Sequence, residues 1–549
     1  MTDLEIPYEK DRHGHYRFFE ILPGALSYIL LLLPAALSYV SVTVDSVPIN
    51  LAIFFILLYL LIYFVRSVGY SLRLVEGYRS MRQHMRLNWP ELLADLEAGE
   101  VTDAAIDRPK WHLRHLRRQQ IAADRLKPSQ VMHVVIIATV NESREVLEPT
   151  IQALIGSDYD CKQNVILVFA YEGRAGKATH DRVTQLAKLY KRNFYDAVAY
   201  QHPPNIPGEI IGKGGNITYA GRQLQAYLAA KHIDPANVLV TTLDADNRPD
   251  PRYLAALTYT YCCAPNRQRA SYQPLAMYTN NIWDVPVLMR AIATGNNLFY
   301  LVGSQRAHLA RNFSAHAQPM QALIDMDFWS VRTVVEDGHQ FWRSYFHFDG
   351  DYRVYPMSIP IYQDAVLADG YLRTMKAQFI QLRRWTYGAS DVAYVADKAF
   401  FVRNRVPKLD ALGKLLRLLE GHVSWATGAL MVLAASRVPA ILHPSAISAV
   451  QLPLIVQNVQ RLGMFGLLVV GSVSVLTLPV RPARFNRRRS FLTNFEWLLT
   501  LVTGLTFGSL AAFTSQTRLM FKRYLSKFDV TEKAVKTDTG TVSSDADPK

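Results

Sequence analysis

The chain has 549 residues, half of them hydrophobic and 11% aromatic, with 60 Lys and Arg against 46 Asp and Glu for a formal net charge of +14. That apolar content excludes a disordered chain, and the length admits one large domain with additions or two to three domains. The positive balance admits nucleic acid, but the basic residues gather at the edges of apolar segments and no binding module is recognisable, so nucleic acid is set aside as a partner.

Residues 1–20 form a polar, charged segment. Leu22 to Val44 and Ile49 to Val65 are almost free of charge, and each approaches the roughly 20 residues that a helix needs to cross a bilayer core. The first does not read as a cleavable signal: it is long, a second apolar segment follows at once, and no clear small-residue cleavage site is present. The loop from Asp45 to Pro48 has no Lys or Arg, whereas Arg66, Arg73, Arg79, Arg82 and Arg86 come after the second segment. The positive-inside rule places residues 1–20 in the cytoplasm, two transmembrane helices at 21–69, and the chain beyond them in the cytoplasm again. Residues 70–129 read as a helical linker in which Trp111, His112, His115, Arg117 and Arg118 suggest contact with anionic headgroups.

From 130 to 400 the texture becomes α/β. Strands are expected at Val131–Val140, Val165–Tyr171, Ala197–Tyr200 and from Val238, with helices near 146–154, 179–192 and 217–231. Strand–helix alternation at this spacing predicts a doubly wound, mostly parallel sheet. Residues 252–400 read as mixed helix and loop rich in aromatics. The strand ends carry Asn141 and Glu142, Glu172, and Asp244 with Asp246. In such sheets ligands bind at the carboxyl edge of the strands. Two carboxylates two residues apart suit a hard divalent cation, which can in turn hold nucleotide phosphates.

Residues 401–420 read as an interfacial helix and 421–515 as three or four transmembrane helices, built from 421–441, 463–480 and 493–513, with 444–460 a further candidate. Arg481, Arg484, Arg487, Arg488 and Arg489 put the loop between the last two in the cytoplasm, and Arg518, Lys522, Arg523 and Lys527 put the C-terminal segment 516–549 there as well. Three crossings cannot return a chain to its starting side. Either 444–460 contributes a crossing or one segment is re-entrant, and five against six crossings stays open. Thr531 to Lys549 lacks apolar periodicity and is expected to be disordered. Cys161, Cys262 and Cys263 show neither a pairing framework nor metal-ligand spacing, so they read as reduced, buried thiols.

Three more motifs carry chemistry. Lys213-Gly-Gly-Asn216 opens a helix, where backbone amides and a Lys make an anion site. Glu336-Asp337 sets two acids near a helix start, one of them a candidate general base. Gln381-Leu-Arg-Arg-Trp385 joins guanidinium forks suited to phosphate with an indole suited to a sugar ring.

These four motifs, in this order and between membrane segments, resemble the membrane-integrated family 2 glycosyltransferases, the group of cellulose, chitin and hyaluronan synthases. The resemblance covers about residues 130–390. It implies a GT-A fold inserted between transmembrane helices, an inverting transfer from a nucleoside diphosphate sugar, most often a UDP-sugar, and dependence on Mg²⁺ or Mn²⁺. It implies that Asp246 ligates the metal, that Asp244 contacts the donor, and that Lys213, Asn216, Gln381 and Arg384 help bind it, with Arg384 on the diphosphate. It implies that Asp337, beside Glu336, takes the acceptor proton, that Glu172 reaches the uridine, and that Trp385 sits at the acceptor end.

The sequence departs from the family at three places. Val335 replaces the Thr of the Thr-Glu-Asp element, Glu172 stands where Asp is common, and no clear acceptor motif of the Phe-Phe-Cys-Gly type is found. Asn297-Leu-Phe-Tyr300 and Ser314-Ala-His-Ala317 are the candidates for that motif. The expected product is a growing polysaccharide, made at a bacterial-type inner membrane by a cytoplasm-facing domain, with an accessory subunit allowed. The alternatives are transfer of one sugar to a polyprenyl phosphate or other lipid, and, from another class, a scaffold or transporter with a degenerate transferase domain.

Overall fold

The structure, a computed structural model, describes residues 4–43, 47–103, 105, 107–122 and 124–527, with two short strand pieces at 535–536 and 542–543. Apart from those pieces, the polar tail expected from Thr531 lies outside the described residues.

The α/β expectation holds. One sheet of eight strands runs in the order β3-β2-β1-β4-β7-β6-β8-β5. The strands are β1 Met132–Thr139, β2 Val165–Glu172, β3 Asp196–His202, β4 Val238–Asp244, β5 Arg248–Pro249, β6 Ala270–Tyr278, β7 Ala317–Pro319 and β8 Arg353–Gln363. The first four in the sheet are parallel. β7 runs antiparallel to both β4 and β6, β6 is parallel to β8, and β5 closes the edge antiparallel to β8. β1 and β2 are near-continuous Val, Ile and Leu because helices cover both faces. One face packs on helices Trp89–Ala98, Lys110–Ile121 and Tyr253–Cys263. The other packs on helix Lys213–Ala230, through Ile217, Ala220, Leu224 and Leu228. Fully buried side chains such as Ile137 and Phe169 contribute about 1.5–3 kcal/mol each when taken from water.

Two expectations need correction. Residues 252–400 hold three strands as well as helices. β6 is buried along its whole length, but Pro274 interrupts it in sequence, and its pairing with β8 shifts register where β8 runs from Pro356 to Pro360. Trp111, His112 and His115 also turn into the domain instead of facing headgroups. They pack around Tyr259, and His112 bridges the Tyr259 hydroxyl (2.8 Å) and Asp95 (3.1 Å). Cys161, Cys262 and Cys263 are free thiols, the first two buried.

Among the described residues, four helices are long and apolar enough to cross a membrane: Gly14–Ser41, Val47–His84, Ile447–Leu476 and Glu496–Met520. Residues 444–460 and 463–480 therefore fuse largely into one helix, whereas 421–441 is divided between a helix Lys408–Ala434, whose charged first half keeps it out of that group, and a short helix Arg437–Leu442. Helix Lys408–Ala434 leaves the domain at Asp410, which accepts the Tyr345 hydroxyl, and reaches Val432 beside Gln460. Ile447–Leu476 starts next to the head of Val47–His84, through Ser448 and Asn50, and comes back to the domain at Val473. Glu496–Met520 behaves differently. It bonds Arg290 at its start, the Trp425 and His422 carbonyls along its length, and Tyr28 and Arg17 near its end.

Candidate active site

Register aligns the strand ends. Tyr171 lies opposite Thr139, Ala138 opposite Asp244, and Glu172 opposite His202, so β1 to β4 finish at one edge. β4 closes with a hydrogen bond from the Asp244 amide to Asn247 Oδ1 (3.0 Å), which holds both acids of the Asp-Ala-Asp turn at that edge.

Asp244 is gripped on both oxygens. Lys213 Nζ donates to Oδ1 (2.7 Å) and Ser314 Oγ donates to Oδ2 (2.8 Å). Burial would lower the Lys213 ammonium, but Asp244, Glu336 and Asp337 together hold it above its ordinary range. Lys213 begins its helix straight after Gly212, and the next residue must be small: a Cβ on Gly214 would lie 2.3 Å from the Ser330 carbonyl oxygen. That contact seats the Lys213 helix against the segment that leads to Glu336 and Asp337.

Asp246 is buried at 7% exposure. Its Oδ2 accepts the Asp364 amide (3.2 Å), and its own carbonyl accepts the Asn280 side chain (3.0 Å). Glu336 is 3% exposed, and its Oε2 has no hydrogen-bond partner among the described residues. Burial pushes Glu336 up to about 7, Asp337 adds to this, and Lys213 and Arg384 oppose it. Asp337 is half-buried and accepts the Gly338 amide (2.7 Å), so of the two acids it is the one that solvent and a substrate can reach. His316 Nδ1–H donates to the Phe313 carbonyl (2.8 Å), and burial lowers its ring to about 4, so it is neutral. Tyr300 lies near Asp337 and Asp244, and burial with those charges raises its phenol.

Helix Tyr371–Thr386 brings in the third group. Ser515 donates to the Arg383 carbonyl (2.6 Å), and Thr386 bonds the Ala511 carbonyl (3.1 Å), which fixes this helix along Glu496–Met520. Arg384 is close enough to stabilise the Glu336 carboxylate. The Trp385 ring stands 6.1 Å from that of Tyr278 at the end of β6. Gln381 is engaged by Gln378 (3.1 Å) within the helix.

Two expected residues are occupied by the fold. Asn216 donates to the Ala170 carbonyl (2.9 Å) and staples the ends of β1 and β2, with its Oδ1 unpartnered among the described residues. Glu172 is buried and held by Arg174 Nε (3.2 Å) and His202 Nδ1 (3.4 Å), and His202 Nε2 reaches Glu209 (3.0 Å). Burial would lower His202, but the two carboxylates push it up to about 9. Asn141 and Glu142 stay apart from the site chemistry, since Glu142 caps its own strand through Thr139 and Val140.

Asn280, Ser314, His316, Asp364, Tyr278 and Tyr300 join the site without a role foreseen from sequence. Ser314, His316 and Tyr300 do fall in the two stretches singled out as acceptor candidates. Asn280 and Asp364 come directly after the unanticipated strands β6 and β8, and only recognition of those strands would have pointed to them.

Asp246 offers carboxylate oxygens of the kind that Mg²⁺ or Mn²⁺ takes. No group of three His, Cys, Asp or Glu that could hold a metal exists among the described residues. A cation at Asp246 would thus draw most of its oxygen shell from phosphates and water, the usual habit of Mg²⁺.

No family model matches the chain, and no curated protein matches it. Solved structures do. A mannosyltransferase from Pyrobaculum calidifontis, in complex with GDP-Man and Mn²⁺, is 15% identical with a TM-score of 0.36 over 72% of this chain and 94% of that one. Residues 1–349 of S. aureus TarS with UDP-GlcNAc are 12% identical with a TM-score of 0.35 over 75% and 96%. GalNAc-T7 with UDP, GalNAc and Mn²⁺ is 10% identical with a TM-score of 0.31 over 54% and 57%.

Proposed function

We propose that the chain is a membrane-bound, metal-dependent inverting glycosyltransferase that moves a sugar from a nucleoside diphosphate sugar, a UDP-sugar foremost, onto a growing polysaccharide. The observation that carries this reading is that Lys213, Asp244, Glu336, Asp337 and Arg384 form one electrostatically linked group at the carboxyl edge of the sheet.

In this reading Asp244, released from Lys213 and Ser314, takes donor hydroxyls. Lys213 and Arg384 then face the diphosphate and stabilise the charge that grows on it as the glycosidic bond breaks. Asp246 would hold Mg²⁺ or Mn²⁺, which would neutralise the leaving diphosphate. Asp337 takes the proton of the acceptor hydroxyl as that oxygen bonds the anomeric carbon on the face opposite the leaving group. Glu336, buried and near neutrality, steadies the helix start that presents Asp337. Trp385 and Tyr278 supply an aromatic surface for an acceptor sugar.

A re-entrant Glu496–Met520, bonded to Arg290 at its start and to Arg17 near its end, would bring residues 521–527 back to the side of the transferase domain, the cytoplasmic side by the positive-inside rule. The test is donor turnover: full-length protein in nanodiscs, a panel of UDP-sugars with Mn²⁺ or Mg²⁺, UDP release measured, and product sized. A polymer ladder from one donor supports the reading. A single sugar on added polyprenyl phosphate makes the chain a lipid glycosyltransferase, and no release from any nucleotide sugar contradicts transfer altogether.

A further inference from the structure

The segment between helices Ile447–Leu476 and Glu496–Met520 plays no part in the transferase chemistry. From Val480 to Phe495 it holds Arg481, Arg484, Arg487, Arg488 and Arg489 and no acidic residue. Three of the arginines are engaged locally. Arg484 pairs with Asp284, Arg481 donates to Asn494, and Arg489 lies 4.0 Å over the Phe485 ring. Arg487 and Arg488 are exposed and have no partner among the described residues. Beside them Phe491, Leu492, Phe495 and Leu498 stand 62%, 55%, 48% and 44% exposed.

Clustered cations next to clustered large apolar side chains are poorly served by water on the apolar side and by hydrocarbon on the charged side. A membrane interface serves both. The position agrees, because the segment leaves a helix long enough to cross a bilayer at the end that returns to the domain.

The surface is also rigidly mounted. Trp283 Nε1 donates to the Val480 carbonyl (3.1 Å), the Trp283 ring meets Phe485 edge-on at 5.2 Å, and buried Arg290 joins Glu496 (3.2 Å) to the Ile282 carbonyl (3.0 Å). The same stretch begins at Asn280, which bonds the Asp246 carbonyl, and Asn281, which bonds Ala365.

We propose that residues 480–498 are a docking surface for anionic phospholipids, in which Arg487 and Arg488 take headgroup phosphates while Phe491, Leu492, Phe495 and Leu498 enter the acyl boundary. Docking is independent of the transferase reading and is measured without any donor. The full chain is placed in nanodiscs of phosphatidylcholine alone or with phosphatidylglycerol, and hydrogen exchange over 487–498 is followed with the ratio of the two lipids retained on extraction.

Protection is expected to be stronger in the anionic discs. Each arginine near an anionic leaflet is worth about a fivefold preference, so Arg487→Gln with Arg488→Gln is expected to cut the retained-lipid preference on the order of thirtyfold. Arg487→Lys with Arg488→Lys, which keeps the charge, is expected to retain most of it. Equal protection in both discs, an unchanged preference in the Gln pair, loss of preference in the Lys pair, or full protection by inorganic phosphate in neutral discs would each overturn the proposal.

Discussion

The two halves of the sheet reach the same site by different routes. The parallel half, β3-β2-β1-β4, follows the alternation of strand and helix and delivers Asp244, Asp246 and, from the helix before β4, Lys213. The mixed half, β7-β6-β8-β5, delivers Asn280 and Tyr278 after or at the end of β6, Asp364 after β8, and Glu336 with Asp337 from the connection between β7 and β8. The first half offers groups suited to a nucleotide and its metal. The second offers a reachable carboxylate and aromatics suited to an acceptor. On the proposed function, donor binding draws on the first half together with Arg384 and proton removal on the second, so substitutions at Asp246 and Asp337 are expected to fail in different ways.

The largest effects test that division. Asp246→Ala is expected to lower UDP release by about 10³-fold or more, through loss of the metal and of transition-state charge stabilisation. Asp337→Asn is expected to lower turnover by about 10²–10⁴ while leaving the donor KM close to that of the parent, because it removes a base and no donor contact. A raised donor KM in Asp337→Asn would move this acid into the donor half. Both are read by steady-state UDP release.

The seam between the halves is the next point of attack. Gly214→Ala drives a methyl group into the Ser330 carbonyl, so the Lys213 helix and the segment before Glu336 must separate. Misplacement by about 1 Å costs on the order of 10²-fold in rate, and kcat is expected to fall by that much with the protein still folded by near-native circular dichroism.

The smallest effects are in pH dependence. Glu336 has a raised carboxyl, so the folded state holds a proton that the unfolded state has lost. Its contribution to stability is full below the ordinary carboxylate range and declines as pH rises toward about 7, where the native carboxyl itself ionises. Glu336→Gln is expected to flatten this decline in thermal unfolding measured from pH 5 to 7. His202, raised to about 9 by Glu172 and Glu209, contributes stability that is full below about 6.5 and is lost as pH rises through about 9. His202→Gln is expected to flatten the curve over that higher window and to leave the lower one alone.

How far sequence could see divides along the same line. Runs of Val, Ile and Leu ending in polar residues marked β1, β2 and β4 because those strands are buried on both faces and each feeds a helix. Their ends also placed Asp244 and Asp246 correctly at the sheet edge. Glu142 and Glu172 looked equivalent there, yet Glu142 caps its own strand and Glu172 is held by Arg174 and His202. Such neutralisation is a tertiary matter that local sequence does not carry.

In the mixed half Pro274, Pro356 and Pro360 hid two long strands, since proline removes a ladder donor and reads as a break. With β6 and β8 unseen, Asn280 and Asp364 had no visible reason to meet Asp246. In the membrane region composition found the apolar segments. It could not show which helices Glu496–Met520 touches, because that is set by tertiary packing.

The most direct test is UDP binding by calorimetry with and without Mn²⁺, for the parent chain, Asp246→Ala and Asp337→Asn. We expect Mn²⁺-dependent binding in the parent and in Asp337→Asn, its loss in Asp246→Ala, and no sugar transfer by Asp337→Asn despite normal UDP binding. Equal UDP binding by both variants, or its loss in Asp337→Asn, would contradict the assignment of donor and proton chemistry to separate halves of the sheet.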